Sequence, residues 1–390
     1  MRLIESFGTT PELAEFFSDN SVLGALLCFE TALARAEGRL GIIPAEAAES
    51  IVKAADAERF DAAGIAADAR ESATIVVPFV KALSARVEEI DSRAAEFVHW
   101  GTTSQDAIDT AVVLLLRRAR ETLARDEARL EEMLRALSDR HAATVMPART
   151  LLQPAPPITF GYKVAGWFGG IRRSWRRLAR SFDQALVLQF GGISGTLAAF
   201  GDRGPELAEE VGRELNLKIP EAPWHTHRDR LASVVTNCGI LTGSLGKIAR
   251  DISLLMQSEV GEAAERGGGS SAMPNKRNPS SSVVALAAAA RVPSLVAAYL
   301  AAMTQEHERA AGGWQSEWQT VAEIVQATGS ALAAIADAIE GLTVNPDRML
   351  ANVKANQNAL FAGERAAQPE HCLGAAETFR RALLDAAGDV

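Results

Sequence analysis

The sequence predicts an all-α protein whose centre is a bundle of very long helices. Residues 105–144 contain neither proline nor glycine, and their apolar residues recur at the three- and four-residue spacing of a helix. A second segment with helical spacing covers residues 228–265. Strand-like alternation of apolar and polar residues is scarce along the whole chain. These observations together favour long antiparallel helices over any sheet-based fold.

The long helices are predicted in chain order between shorter helical segments. The first, at 105–144, would be roughly 55–60 Å long at 1.5 Å per residue. Others follow at about 156–187, 228–265 and 280–342, and we expect Pro293 to kink or interrupt the last of them. The predicted organisation is an N-terminal helical domain at 1–103, a central long-helix bundle at 104–342 and a short C-terminal helical segment at 343–390.

Three glycines within the second long helix predict close helix packing. Gly239, Gly243 and Gly246 lie three or four residues apart, so they share one face of that helix. Each costs helix stability relative to alanine, which is offset where two backbones approach closely. Long apolar helices also tend to bury their remaining faces against other subunits, so we expect a homo-oligomer.

Composition excludes several classes of function. The net charge of −9 gives no general attraction for nucleic acid or for an acidic membrane surface. No secretory signal and no stretch of 18 apolar residues is present, so we expect a cytoplasmic protein. The three cysteines are isolated. His225 and His227 lack neighbouring ligands, and we expect neither a metal nor a cofactor.

A glycine-rich stretch, GGGSSAMPNKRNP at 267–279, joins two of the predicted helices. Such a composition is common in ordinary connecting loops. It also suits a lid, because the glycines supply mobility and the two serines supply hydroxyls. Lys276 and Asn278 could hold a carboxylate and the charge that develops on it.

Residues 269–278 resemble the GSSxMPxKxN signature of the fumarase/aspartase superfamily. The resemblance implies a loop in which Ser270 is the general base acting on a carbon next to a substrate carboxylate. A serine hydroxyl is a weak base at neutral pH, so Lys276 and loop N–H groups would stabilise its alkoxide. Ser271, Met273 and Asn278 are the loop residues that we expect to contact substrate.

A second segment, HWGTTSQD at 99–106, resembles the HxGxTSxD region of the same superfamily. Physically, Thr103 or Ser104 could simply cap the helix that follows. The same hydroxyls and N–H groups form an anion site at a helix N-terminus, and by resemblance this region binds a substrate carboxylate. For His99, a packed histidine and a functional one remain equally open.

A third segment, RTLLQPAPPITFG at 149–161, resembles the RTxxQHAxPTTFG segment of adenylosuccinate lyases and implies that Arg149, Thr150 and Gln153 bind substrate. Pro154 stands where those lyases carry the histidine that acts as general acid, and Leu151 replaces another active-site histidine. Neither side chain can donate a proton. Cycloisomerisation of 3-carboxy-cis,cis-muconate tolerates this loss, because its leaving or attacking group is a weakly basic carboxylate.

Further stretches resemble the 3-carboxy-cis,cis-muconate cycloisomerases of this superfamily, among them PWHTHRDRL at 223–231 and QEHERAAGGWQSEW at 305–318. Arg228 could be a solvated surface charge, or it could clamp a carboxylate. Arg309 is a weaker candidate with the same two interpretations. The resemblance covers residues 5–360, and the C-terminal segment is shorter than is typical for the superfamily.

The resemblance therefore predicts an enzyme that forms 4-carboxymuconolactone in the protocatechuate branch of the beta-ketoadipate pathway. Its catalytic residues would be Ser270 and Lys276, its substrate a small tricarboxylate, and it would need no cofactor. It further implies a homotetramer whose active sites combine segments from three subunits. The alternatives are an adenylosuccinate-type lyase, a cycloisomerase of a related muconate such as a sulfonated one, or an inactive structural relative.

Overall fold

The computed structural model describes residues 3–269, 273, 276–356 and 372–386. Within these ranges it contains thirteen α-helices and two small two-stranded sheets. The helices are α1 Pro11–Phe16, α2 Asp19–Arg39, α3 Ala45–Ala54, α4 Ala62–Ser72, α5 Val76–Glu88, α6 Ser104–Arg140, α7 Phe160–Ala185, α8 Gly204–Leu215, α9 Asp229–Leu255, α10 Ser280–Ala302, α11 Gly313–Glu340, α12 Pro346–Ala355 and α13 Ala376–Asp385. The prediction of an all-α fold is confirmed.

Five helices, α6, α7, α9, α10 and α11, form the central bundle. Helix α7 packs between α6 and α9, while α10 packs against α9 and α11, and α11 returns to α6. The bundle core is apolar, with Leu116, Leu123, Val234 and Leu245 fully buried. Burying one such side chain stabilises the fold by about 1.5–3 kcal/mol relative to its exposure, so the long apolar stripes hold the bundle together.

Two of the three predicted glycine contacts are confirmed. A Cβ at Gly246 would lie 2.6 Å from the methyl carbon of Ala289, and one at Gly239 would lie 3.2 Å from Val296, both on α10. These glycines therefore permit close approach of α9 and α10. At Gly243 nothing lies within 4 Å, so this glycine faces away from α10.

The prediction of a single interrupted helix at 280–342 was wrong in its details. Pro293 lies inside α10, which continues across it, and the break falls instead at 303–312. Pro293 is exposed. The helix therefore loses one backbone hydrogen bond at an exposed position, where water can satisfy the freed carbonyl.

The hairpin at 145–159 was not predicted. Strand β1, Val145–Thr150, pairs antiparallel with β2, Gln153–Thr159, so α7 begins at Phe160 rather than at 156. The prolines of β2 have no N–H to donate, which confines such a strand to a small or edge sheet. The short strands β3, Ala263–Ala264, and β4, Thr343–Val344, form the second sheet.

Among the described residues, two helices are long and apolar enough to cross a membrane by length and composition alone. In α11, 67% of the most apolar stretch is buried inside the molecule, as expected for a core helix of a bundle. In α10 only 22% is buried, so this helix carries an apolar face that the single chain leaves uncovered.

Candidate active site

The N-terminus of α6 is organised around the buried carboxylate of Asp106. Its Oδ2 accepts hydrogen bonds from the Thr102 hydroxyl at 3.0 Å, from the Thr103 amide at 3.3 Å and from the Gly192 amide at 2.8 Å. Its Oδ1 accepts from the Gly191 amide at 3.0 Å. Asp106 thereby joins the start of α6 to the glycine-rich loop at 191–195 and fixes the approach to the helix N-terminus.

Arg309 lies at this helix N-terminus. Its Nη1 donates to the Thr103 hydroxyl at 2.6 Å, and the side chain is half-buried. Burial lowers the pKa of the Arg309 guanidinium, against the opposing charges of Asp106 and Asp109, yet an arginine remains charged at neutral pH. Thr103 and Ser104 are also half-buried. A guanidinium, two hydroxyls and a helix N-terminus together suit a carboxylate.

Arg228 lies deeper in the bundle than a substrate clamp would. It is 2% exposed and donates from Nη1 and Nη2 to Asp109 at 2.7 and 3.0 Å. Its Nε and Nη2 donate to Glu317 at 3.0 and 2.7 Å. Burial alone would lower the pKa of Arg228, but the two carboxylates outweigh it and raise that pKa above its usual range.

The prediction that Arg228 clamps a substrate carboxylate is corrected on this geometry. Four of its five N–H groups are committed to two buried carboxylates, and its guanidinium also lies 4.7 Å from the ring centre of Trp224. The cluster joins α6, the start of α9 and α11. Arg228 thus holds the bundle together beneath the helix N-terminus, and Arg309 is the cation that faces outward there.

His99 has the surroundings of a packed, hydrogen-bonded histidine. Its Nδ1 lies 2.6 Å from Glu30 Oε1, and its backbone adopts a left-handed φ of 59°. Burial of the ring opposes its charged form, but the charge and hydrogen bond of Glu30, with the charge of Asp106, raise the pKa of His99.

The hairpin residues form a separate group. Arg149 donates from both terminal nitrogens to Glu262 at 2.8 and 2.6 Å, and Asn352 also donates to Glu262 at 2.7 Å. Thr150 and Gln153, at the tip, are exposed. Between them Leu151 and Leu152 are 96% and 73% exposed, with left-handed φ values of 49° and 65°. Within the described chain, no hydrogen bond or ion pair joins this tip to the N-terminus of α6.

The signature loop is described only in part. Ser270 and Ser271, the predicted base and its neighbour, lie outside the described residues. The two ends of the loop are held together where Gly268 and Asn278 exchange backbone hydrogen bonds at 3.2 Å each. The side-chain amide of Asn278 also donates a hydrogen bond to the Gly269 carbonyl at 3.3 Å. Lys276 and Met273 are exposed.

Several residues at the α6 terminus were missed by the sequence interpretation. Asp106 and Asp109 are three residues apart, and two acids on one otherwise apolar helix face were an available signal. The Arg228 cluster receives further donors from Trp314, Tyr299 and Gln305. These come from distant segments, which the spacing of residues along the chain could not bring together. Among the described residues no group of three or more potential ligands could hold a metal ion.

Comparison with known proteins identifies the family of this chain. A family model described as "Lyase" matches residues 5–294. A 3-carboxy-cis,cis-muconate cycloisomerase of Bradyrhizobium diazoefficiens is 49% identical over 348 residues, which are 88% of this chain and 77% of that protein. A nitrosuccinate lyase of Streptomyces davaonensis is 41% identical over 389 residues, which are 97% of this chain and 81% of that protein.

The solved structures agree with these relatives. The crystal structure of 3-carboxy-cis,cis-muconate lactonizing enzyme from Pseudomonas putida matches with a TM-score of 0.93 and 37% identity, over 99% of this chain and 98% of that chain. The family match, the sequence identity and the structural match each cover most of the chain. The chain belongs to the lyase family of the fumarase/aspartase superfamily.

Proposed function

We propose that this protein is a cycloisomerase that converts 3-carboxy-cis,cis-muconate to 4-carboxymuconolactone. A substrate carboxylate adds to a double bond, and the neighbouring carbon takes a proton. The observation that carries the proposal is Pro154 at the exposed hairpin tip, where the resemblance to adenylosuccinate lyases would place a general acid. Without that acid an amine leaving group would depart slowly, whereas a carboxylate needs no protonation to leave or attack.

The anion sites on the chain suit a substrate with several carboxylates. One carboxylate would bind at Arg309, Thr103 and Ser104, where a guanidinium lies at a helix N-terminus. By resemblance Lys276 and Asn278 of the signature loop would bind another, beside Ser270, which would exchange the proton with carbon. Thr150 and Gln153 on the hairpin tip would supply further hydrogen bonds. No metal or cofactor enters this scheme.

The purified protein is tested with 3-carboxy-cis,cis-muconate by following the loss of the ultraviolet absorption of its conjugated diene. Adenylosuccinate is assayed in parallel. We expect rapid loss of the diene signal and no cleavage of adenylosuccinate. Cleavage of adenylosuccinate with a persistent diene would contradict the argument from Pro154. Reaction of neither compound would direct the search to related muconates or to an inactive relative.

Nitrosuccinate elimination is the second candidate, and the nitrosuccinate lyase relative favours it. Nitrite, like a carboxylate, is a weak base, so its release needs no general acid. The missing acid at Pro154 is therefore compatible with both reactions. Nitrosuccinate belongs in the same set of assays, with released nitrite as the readout, and the substrate with the higher kcat/KM decides between them.

We expect replacement of Arg309 to weaken substrate binding. Arg309→Gln removes the only guanidinium that donates to Thr103 in the described chain, and KM should rise about 10- to 100-fold, the value of one charge-assisted contact. Arg309→Lys should recover part of the loss. The control is Arg230→Gln, which removes a cation paired with the exposed Glu221. An unchanged KM in Arg309→Gln would remove this residue from the binding site.

We also propose a cytoplasmic homotetramer with active sites shared between three subunits. The exposed hairpin tip and the Arg309 site have different partners within one chain, which favours completion of each site by another subunit. The apolar face of α10 and a groove between α7 and α9 support the same proposal. This groove is lined by Gly166, Gly170 and Gly243, beside each of which nothing lies within 4 Å. Such a groove suits a closely packed helix.

Subunit mixing tests the shared site. Arg309→Gln and Gln153→Ala alter two groups that lie apart in one chain, so each variant should lose activity by itself. Refolded together, they should regain a measurable fraction of wild-type activity, because some sites in mixed oligomers receive both wild-type segments. Light scattering gives the subunit number. Restored activity would be absent if every site were built from one chain.

A further inference from the structure

The loop that precedes α9 holds a second buried group beside the proposed carboxylate site. His225 is 4% exposed, and its Nε2 lies 2.7 Å from Asp106 Oδ1. The backbone on either side is fixed by two buried amides: Gln105 donates to the His225 carbonyl at 2.6 Å, and the Trp224 amide donates to Gln189 at 3.0 Å. The ring is therefore held in one position by groups from two other segments, the start of α6 and the chain at Gln189.

Asp106 sets which ring nitrogen carries the hydrogen. Its carboxylate already accepts from the Gly191 and Gly192 amides and from Thr102 and Thr103, so it acts as an acceptor toward the ring. Nε2 is then the donor, and Nδ1 of the neutral ring carries the lone pair. An imidazole oriented by a carboxylate in this way is a common arrangement for a general acid or base.

Nδ1 points toward the glycine loop at 191–195. A Cβ at Gly195 would lie 3.8 Å from Nδ1, and one at Gly191 would lie 2.8 Å from the ring carbon Cε1. In the part of the chain that the structure describes, Nδ1 makes no hydrogen bond to protein. This nitrogen is therefore free to take or to give a proton.

Hydrogen bonds connect the ring to the proposed anion site through Asp106. Asp106 also accepts from the Thr103 amide, and Thr103 accepts from Arg309, so one carboxylate separates the ring from the proposed anion site. Gln105 bridges from the His225 carbonyl to Asp109, which is neutralised by Arg228. Among the described residues, Asp106 is the charged group that contacts the ring directly.

The proposed reaction consumes one proton in each turnover. The carboxylate oxygen forms a C–O bond, the π electrons move to the neighbouring carbon, and that carbon gains a hydrogen. The attacking carboxylate loses its negative charge in the lactone, so a proton must enter from water. A serine hydroxyl that donates to carbon becomes an alkoxide and must be reprotonated before the next turnover.

We propose that His225, oriented by Asp106, is the residue through which this proton enters the site, with Nδ1 as its donor atom. The protonated ring gives the proton to the group that has just donated to carbon, and the neutral ring then takes another from water. Histidine suits this role because its charge changes between pH 5 and 8. The inference rests on the proposed function, and it assigns the second proton-transfer group left open by Pro154.

The test compares wild-type protein, His225→Asn and the control His227→Asn, which changes an exposed histidine of the same loop. In His225→Asn we expect kcat to fall about 10²- to 10⁴-fold, with KM changing less than about threefold. The fall of wild-type activity at alkaline pH should disappear, and added imidazole should restore part of the rate. His227→Asn should behave as wild type.

Three results would overturn the proposal. One is a His225→Asn variant whose kcat stays within about threefold of wild type. Another is a folded variant that loses activity while keeping the wild-type pH profile and ignoring imidazole, which would assign His225 a structural role. If the variant fails to fold, nitrogen NMR of the wild-type histidine rings decides: the neutral His225 ring should carry its hydrogen on Nε2. A neutral ring with its hydrogen on Nδ1 would also overturn the proposal.

This test is separable from that of the proposed function. The wild-type assay establishes which substrate reacts, and its failure would reject the cycloisomerase. The NMR measurement of the tautomer needs no substrate. A wild-type enzyme that is active on the diene, with a His225 ring that fails these criteria, would reject the inference alone.

Discussion

Replacing Arg228 by methionine should destabilise the protein by about 3–5 kcal/mol, because the change leaves two buried carboxylates without their counter-charge. Asp109 and Glu317 are 1% exposed, and each receives two or more hydrogen bonds from Arg228. Urea denaturation at neutral pH measures the loss. The loss should shrink at low pH, where protonation removes the charges of the two acids.

Two further variants sharpen this result. Arg230→Met removes a neighbouring arginine whose partner Glu221 is 87% exposed, and stability should change by less than about 1 kcal/mol. Combining Arg228→Met with Asp109→Asn and Glu317→Gln removes all three charges, and this variant should recover much of the loss. If Arg228→Met kept wild-type stability and raised KM instead, Arg228 would be a substrate ligand after all.

The variant Glu37→Gln should gain stability relative to the wild-type protein as the pH rises. Glu37 on α2 is fully buried, and neither of its carboxyl oxygens has a hydrogen-bond partner. Burial, together with the nearby charge of Glu30, raises the pKa of Glu37 to about 9. The folded protein therefore keeps this carboxyl protonated over a pH range in which the unfolded chain releases the proton.

The pH dependence follows from that raised pKa. Below about pH 4.5 the Glu37 carboxyl is protonated in both the folded and the unfolded chain, so it does not make the free energy of unfolding depend on pH. As the pH rises toward 9, only the unfolded chain releases this proton, so the free energy of unfolding falls. At pH 8 the loss amounts to roughly 4–5 kcal/mol, at 1.36 kcal/mol per pH unit. Glu37→Gln removes the titration, so its advantage over wild type should grow by about that amount between pH 4 and pH 8.

Denaturation curves of the two proteins across this range provide the measurement. The matched control is Glu46→Gln, which changes an exposed glutamate at the start of α3 and should give a difference independent of pH. A constant difference between Glu37→Gln and wild type from pH 4 to pH 8 would show that Glu37 ionises normally in the folded protein.

The helical bundle was largely readable from the sequence, because the apolar spacing of long helices is a local property. Helix α6 begins at Ser104, one residue before the predicted start. The hairpin at 145–159 was not readable, since its prolines oppose a strand; the pairing of β1 with β2 and the ion pair of Arg149 with Glu262 stabilise it against that preference. The break between α10 and α11 also escaped prediction, because Pro293 is the stronger local signal and the helix tolerates it at an exposed position.

The site divides in the same way. Thr103, Ser104 and the signature loop were found from local motifs, since a helix N-terminus and a run of specified residues are recorded in consecutive positions. Local motifs did not show that Arg228 is a buried structural residue and that Arg309 lies at the helix N-terminus, because this difference depends on the residues that each arginine contacts. Arg228 meets Asp109 and Glu317 from distant segments, whereas Arg309 meets the Thr103 hydroxyl.

Local patterns along the chain were enough to predict the fold class, the long helices and the motifs that carry the resemblance to the superfamily. The packing of distant segments was needed to show that Arg228 is a buried, doubly paired cation, that Arg309 lies at the N-terminus of α6, and that His225 is oriented by Asp106. Periodicity and capping can be read locally because they depend on neighbours within a few residues. The state of an ionisable side chain depends instead on the charges and burial that distant segments impose when they pack.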